Sequence, residues 1–186
     1  MKATAPSACS GFDVRDARVE DLSYVQRIYA HHVLNGLASF EEQPPDLPEM
    51  TRRYEAVIAL GLPYLVAVGA GGVQGYAYAA PYRPRPAYRF TLEDSVYVDE
   101  AAVGQGIGRE LLSLLIARCT ELGYRQLLAV IGDSGNAGSI GLHAALGFER
   151  AALLRSVGFK FGRWVDSVIM QKALGPGDST PPSLSR

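Results

Sequence analysis

At 186 residues, 48% hydrophobic and 20% charged, the chain suits one packed domain and is short for two. Its 18 Lys and Arg against 19 Asp and Glu leave a formal net charge of -1, which argues against a broad nucleic-acid or anionic-membrane surface and confines electrostatic recognition to local clusters. Two cysteines, Cys9 and Cys119, and three histidines, His31, His32 and His143, offer neither a disulfide framework nor a spaced metal site.

The opening stretch MKATAPSACSG carries one lysine and no apolar run of signal-peptide length. No later stretch is apolar over the ~20 residues of a membrane span, so a cytoplasmic protein is expected. Residues 1–11 and 175–186 are small, Pro- and Ser-rich and aperiodic, which reads as loose ends around a domain at 12–174.

Within that domain FDVRDA reads as a strand. EDLSYVQRIYAHHVL then sets Leu22, Val25, Ile28, Tyr29, His32 and Val33 at helical spacing, stopped by Asn35-Gly36. His31 and His32 fall inside this pattern and read as structural. The proline-rich SFEEQPPDLPEM leads into a second helix, PEMTRRYEAVIALG. PYLVAVG and GVQGYAYAAPY form a hairpin signal around Gly69 to Gly72. RFTLEDSVYVD is a further strand, followed by a helix that lines up Ile107, Leu111, Leu112, Leu115, Ile116, Cys119 and Leu122. RQLLAVIG reads as a strand, NAGSIGLHAALG as a short helix, and FERAALLRSVG with RWVDSVIMQKAL as a final antiparallel pair. The expected class is α/β.

Between Val98 and Leu111, VDEAAVGQGIGREL places Gly104, Gly106 and Gly108 at a strand-to-helix junction. Such a loop leaves main-chain N–H groups open at a helix N-terminus, where the dipole favours a phosphate; the alternative is a tight turn and nothing more. A dinucleotide fingerprint would need glycine where Arg109 stands, and a P-loop would need a Gly-Lys-Ser/Thr ending.

In TLEDSVYV, strand alternation puts Glu93, Ser95 and Tyr97 on one face and Leu92, Asp94, Val96 and Val98 on the other. Glu93 can be read as a base or as a solvated surface carboxylate. His143 can be read as a proton donor or as a buried imidazole satisfied by a carbonyl. Before this strand, APYRPRPAYRFT gathers Arg83, Arg85 and Arg89 among Tyr82, Tyr88 and Phe90. That cluster suits a small anion or is a solvated loop.

The run Val103-Gly104-Gln105-Gly106-Ile107-Gly108 resembles the [Gln/Arg]-x-x-Gly-x-[Gly/Ala] motif of the GNAT superfamily of acyl-CoA-dependent N-acyltransferases, with Val103 replacing the polar leader. NAGSIGLHAALGF resembles its second signature through Asn136, Ser139, Leu142, Gly147 and Phe148. LLRSVGFKFGRWVDSVIMQK, with SVYVDEAAVGQGIG, is similar to the phosphinothricin and methionine sulfoximine N-acetyltransferase branch.

The resemblance implies a single GNAT-like domain whose central twisted sheet is mixed and mostly antiparallel, flanked by helices. It implies that the glycine loop, with Arg109, holds the pyrophosphate of acetyl-CoA, that Asn136 and Ser139 support the pantetheine arm, and that a main-chain N–H around Val96, Tyr97 and Val98 polarises the thioester. Glu93 stands where the family places its base, and His143 where many members carry a tyrosine acid. Phe40, Arg85, Tyr88 and Ser95 map to substrate contacts, and Lys160 to positive charge near the entrance. The implied reaction is direct acetylation of the α-amino group of a small amino acid or analogue, in a homodimer, with no metal, nucleic acid or membrane. The alternatives are peptide acetylation and a non-catalytic acyl-CoA-binding module.

Overall fold

Seven strands form one open sheet in the order β1-β2-β3-β4-β5-β7-β6 in a computed structural model that describes residues 11–182. In chain order the elements are β1 (Phe12–Asp16), α1 (Leu22–Asn35), α2 (Leu47–Ala59), β2 (Tyr64–Gly69), β3 (Gly72–Pro81), β4 (Thr91–Val98), α3 (Ile107–Glu121), β5 (Gln126–Gly132), α4 (Ala137–Ala145), β6 (Glu149–Lys160) and β7 (Arg163–Ala173). This is the mixed, mostly antiparallel α/β architecture expected. The segment 1–10 and the last residues, 183–186, lie outside the described residues, so the expectation for the N-terminal end is not addressed.

Asp46 accepts from the Glu49 amide at 2.9 Å and so caps α2, with Pro48 in the first turn where its missing N–H costs nothing. The β6–β7 hairpin turns through Phe161 (φ 51°) and Gly162 (φ 73°), the twist that joins two right-twisted strands over a two-residue loop.

Every adjacent pair is antiparallel except β4 and β5, which run parallel only from Thr91–Asp94 against Gln126–Ala129. Beyond Asp94 and Ala129 the two strands part. The sheet therefore carries a fork at its centre, with β4 continuing on β3 and β5 continuing on β7.

The helices cover opposite faces of this fork. Tyr29 and His32 of α1 meet the Tyr97 ring at 5.1 and 5.3 Å. Tyr97 continues a stack through Tyr76, Tyr78 and Tyr64, and Tyr54 of α2 meets Tyr64 at 5.2 Å. On the other face Gly108 of α3 lies beside Val98, and His143 of α4 meets Asp94. The apolar stripe of α3 is the core of that second layer: Ile107, Leu111, Leu112, Leu115 and Cys119 are buried, each leucine contributing roughly 1.5–3 kcal/mol by leaving water.

The C-terminal end corrects one expectation. Arg125 donates to the Gly177 carbonyl at 3.1 Å and to the Pro181 carbonyl at 3.2 Å, so the stretch from Gly175 to Pro181 is tied to the start of β5 rather than loose.

Candidate active site

The fork opens into a cleft of about 760 Å³ bounded by β4, the 102–109 loop, the end of β5, the first turns of α4 and the segment following α1. Two glycines shape its phosphate-sized end. Gly104 and Gly106 hold φ of 83° and 84°, the left-handed region that other residues enter at a cost, and no atom lies within 4 Å of where either would carry a Cβ. Gly106 caps α3, and the first helical bond runs from the Glu110 amide to the Gly106 carbonyl at 3.1 Å. The amides before it have no partner within the helix and face the open end with the positive end of the dipole. The glycine loop is therefore more than a tight turn: it leaves donors uncovered on a cleft.

Val96, Tyr97, Val98, Val103, Gly104, Gly106, Ile107, Gly108, Arg109, Asn136 and Ser139 all line this cleft. Gln105 does not; its amide turns back to the Ala101 carbonyl at 3.4 Å. Asn136 caps α4 by accepting from the Ser139 amide at 3.1 Å, which explains why an asparagine begins that segment. Sequence reasoning missed His32, Gly36, Leu37, Ala38 and Gly132 as lining residues. His32 closes the wall by bonding the Val98 carbonyl at 2.9 Å. Only the glycine ending RQLLAVIG hinted at a close approach there.

Glu93 lies one residue before the end of the β4–β5 pairing, opposite Leu128, and is half-buried. Burial, helped by the neighbouring Asp94 charge, holds its carboxyl above the ordinary glutamate range. Among the described residues it makes no ion pair or hydrogen bond, unlike a solvated glutamate paired with an arginine. Ser95, the first residue past the fork, sits across from Tyr78. Arg85 and Tyr88 belong to an exposed turn at Pro86–Tyr88; Tyr88 packs edge-on against Tyr82 at 5.6 Å, and neither residue lines the cleft.

Of the two readings open for His143, proton donor or buried imidazole satisfied by a carbonyl, its surroundings resemble the second. It is 3% exposed, its Nδ1 donates to the Ser139 carbonyl at 2.7 Å and its Nε2 faces Asp94 Oδ2 at 3.0 Å. Both nitrogens are occupied by protein partners, and the ring itself does not line the cleft. Asp94 was not singled out from sequence, although alternation placed a lone carboxylate among Leu92, Val96 and Val98, which signals a buried partner. Its other oxygen, Oδ1, is buried without a hydrogen-bond partner among the described residues. Burial raises Asp94 against the opposing pull of His143. For His143 burial acts downward, but the Asp94 hydrogen bond and charge outweigh it, so the pair keeps a proton to higher pH than a free imidazole.

Lys160 is a second correction. Instead of presenting charge at the entrance it is 3% exposed and donates to the Gly36 and Ser39 carbonyls at 3.0 and 2.8 Å. Phe40 lies against Gly158 and Gly132. Cys119 is buried, and burial with the Asp94 charge pushes its thiol up to about 12, which leaves no thiolate for covalent chemistry at neutral pH. Cys9 lies outside the described residues.

A family model described as an acetyltransferase (GNAT) domain matches residues 14–169. The chain belongs to the GNAT acetyltransferase family. It is 59% identical over 178 residues to a phosphinothricin N-acetyltransferase of Alcaligenes faecalis, covering 96% of this chain and 89% of the relative. It is 44% identical over 169 residues to an L-methionine sulfoximine/L-methionine sulfone acetyltransferase of Pseudomonas paraeruginosa, covering 90% and 98%. Among solved structures, a phosphinothricin acetyltransferase from Sinorhizobium meliloti in complex with AcCoA superimposes with a TM-score of 0.91 at 48% identity, covering 94% and 95%.

The family's acyl donor is acetyl-CoA, and the residues present fit it. The uncovered amides before Glu110 match a pyrophosphate, and the space beyond Gly104 and Gly106 leaves room for one. The fork frees main-chain groups of Val96 to Val98 from β5, which an amide-bearing pantetheine arm can use in place of a strand. Val103, 66% exposed at the rim, adds no side-chain donor, so at position 103 this GNAT chain offers the cradle main chain alone.

Proposed function

We propose that the chain transfers the acetyl group of acetyl-CoA directly to the α-amino group of a small anionic amino acid analogue of the phosphinothricin or methionine sulfoximine type. The observation that carries this reading is the pairing of an open main-chain phosphate cradle with a half-buried carboxylate, Glu93, which stands beside the fork and has no partner among the described residues. The identity to relatives bearing those substrate names supports the class of amine.

When bound, acetyl-CoA supplies an acyl carbon activated as a thioester. Glu93 takes the proton of the substrate ammonium, directly or through water, and its raised proton affinity matches that task better than an ordinary glutamate. An N–H in Val96 to Val98, free of β5, offers a hydrogen bond to the thioester oxygen as charge builds on it. Arg85, whose guanidinium has no ion pair among the described residues, stands on the turn before Glu93 and suits the carboxylate or phosphinate of the amine substrate. Tyr88 supplies an apolar wall beside it, with Ser95 and Phe40 on the amine side.

The reading includes a homodimer and a cytoplasmic setting, where acyl thioesters are made. Among the described residues no helix is long and apolar enough to cross a membrane. The exposed rings of Phe159, Phe161 and Trp164 on the β6–β7 hairpin, at the open edge of the sheet, support a second copy of this chain as their cover. Trp164→Glu is expected to shift sedimentation from dimer to monomer.

Thiol release from acetyl-CoA, followed with a chromogenic thiol reagent across free amino acids, phosphinothricin, methionine sulfoximine, polyamines and short peptides, tests the function. Turnover confined to the phosphinothricin-like compounds is expected. Turnover on peptides alone, or CoA binding with no turnover, overturns the proposal.

A further inference from the structure

We infer that Lys160 is a positioning residue that bolts residues 36–41 as a strap across the gap where β4 and β5 part, and so shapes the amine side of the site. The inference rests on the function proposed above for the choice of assay, but its geometry stands alone.

The strap is held at both ends. On the α1 side the Gly36 amide bonds the His32 carbonyl at 3.1 Å, and the Ser39 hydroxyl meets the buried Tyr29 hydroxyl at 2.8 Å. Tyr29 in turn lies edge-on to Tyr97 of β4 at 5.1 Å. On the far side the Leu37 carbonyl packs onto Gly132 at the end of β5, and the Phe40 ring covers Gly158 of β6. The strap thus touches β4 through Tyr29 on one bank and β5 and β6 on the other, while Gly36, Leu37 and Ala38 form part of the cleft wall.

Lys160 is what fixes the far bank. Its ammonium donates to two strap carbonyls, Gly36 and Ser39, from more than 120 residues away in sequence, and the Phe161 ring lies 4.9 Å from Nζ. A charged amine left unbonded at such burial is strongly disfavoured, so the strap's docking and the burial of Lys160 require each other. An undocked strap exposes the ammonium, and a side chain without donors leaves both carbonyls unpaired. Gly158 belongs to the same device: a Cβ there would come within 2.6–2.9 Å of the Phe40 ring. The charge that the sequence suggested for substrate is consumed in holding the wall that substrate meets.

Lys160→Met keeps the stem and removes the donors. The expected result is an amine KM at least about tenfold higher, with the CoA dissociation constant, measured by calorimetry with CoA, changed less than about threefold because the 103–109 cradle is untouched. Cleavage by a glutamate-specific protease after Glu41 and Glu42 is expected to accelerate about tenfold. Gly158→Ala displaces Phe40 with Lys160 intact, and is expected to move amine KM and cleavage in the same direction; it carries the test if Lys160→Met does not fold. A uniform fall in kcat with unchanged amine KM and unchanged cleavage shows a mere stabiliser and overturns the inference. If the wild-type enzyme turns over no amine, the functional proposal fails, while the protease arm still decides the strap.

Discussion

The imidazole of His143 and the carboxylate of Asp94 meet at 3.0 Å with their side chains 4% and 2% exposed, joining α4 to the last residue of β4 that still pairs with β5. The bond ties one wall of the cleft to the point where the fork begins. Replacing His143 by leucine strands a buried carboxylate, which costs about 3–5 kcal/mol, whereas replacing both partners by leucine removes the unpaired charge and recovers much of the loss. Because the Asp94 bond and charge hold the His143 proton more tightly in the fold than in the unfolded chain, that contribution is present below the unfolded imidazole value near 6.5 and falls as pH rises through the pair's raised value. Thermal unfolding of the wild type is expected to drop in Tm as pH rises above the unfolded imidazole value near 6.5, and the doubly substituted protein to show a flatter profile. Equal stability of the single and double variants would show that the pair is uncoupled.

Glu93→Gln separates the base from the rest of the site, since the amide keeps the shape and cannot accept a proton. A fall in kcat/KM of about a hundredfold or more is expected. In the wild type kcat/KM rises with pH as the carboxylate forms. That limb lies above the ordinary glutamate range because burial and the Asp94 charge both raise the group. The glutamine variant loses the limb. A pH profile of kcat/KM for both proteins checks it, and a glutamine variant with the same limb assigns the base elsewhere.

How far the sequence was readable depends on how local each signal is. The α3 stripe and the alternation in TLEDSVYV are properties of neighbouring residues, so Ile107, Leu111, Leu115 and the two faces of β4 were readable directly. The family resemblance likewise grouped Gly104, Gly106, Asn136 and Ser139, which line one cleft. Lys160 was misplaced and His143 left open between two readings for the opposite reason: their partners, Ser39 and Asp94, are 121 and 49 residues away, and a polar side chain reads the same whether solvent or a distant group receives it. Arg125 hid the ordering of the C-terminal stretch in the same way. The partial exception is Asp94, whose place among apolar neighbours was a local anomaly with a long-range cause.

The glycines of the site differ in what a methyl group would do. At Gly106 the added Cβ meets nothing, so Gly106→Ala is limited to the left-handed backbone penalty, about 1 kcal/mol. At Gly132 it would run into the Leu37 carbonyl, main chain that no rotamer change can move, and overpacking of this kind costs about 1–3 kcal/mol. Denaturant unfolding is expected to rank Gly132→Ala below Gly106→Ala. Gly132→Ala also raises amine KM because the strap is lifted, whereas Gly106→Ala acts on the KM for acetyl-CoA; the reverse assignment of the two KM effects would contradict the placement of cradle and strap.

Val103 offers a gain-of-function test of the cradle. It is exposed beside Gly104, where the family motif has glutamine or arginine, and its isopropyl group can give nothing to a phosphate. Val103→Arg adds a guanidinium beside amides that already face the open end of α3, and a charge-assisted bond to pyrophosphate follows from that geometry. Because the site is solvated, the gain is limited to about 1 kcal/mol, a fewfold lower KM for acetyl-CoA, and it shrinks as salt screens the pair. The amine KM and kcat stay as they are, since the added charge acts on the phosphate and touches no amine contact. Initial rates at low and high ionic strength read all three quantities. An arginine that changes amine KM and leaves acetyl-CoA KM untouched would mean that the pyrophosphate binds elsewhere.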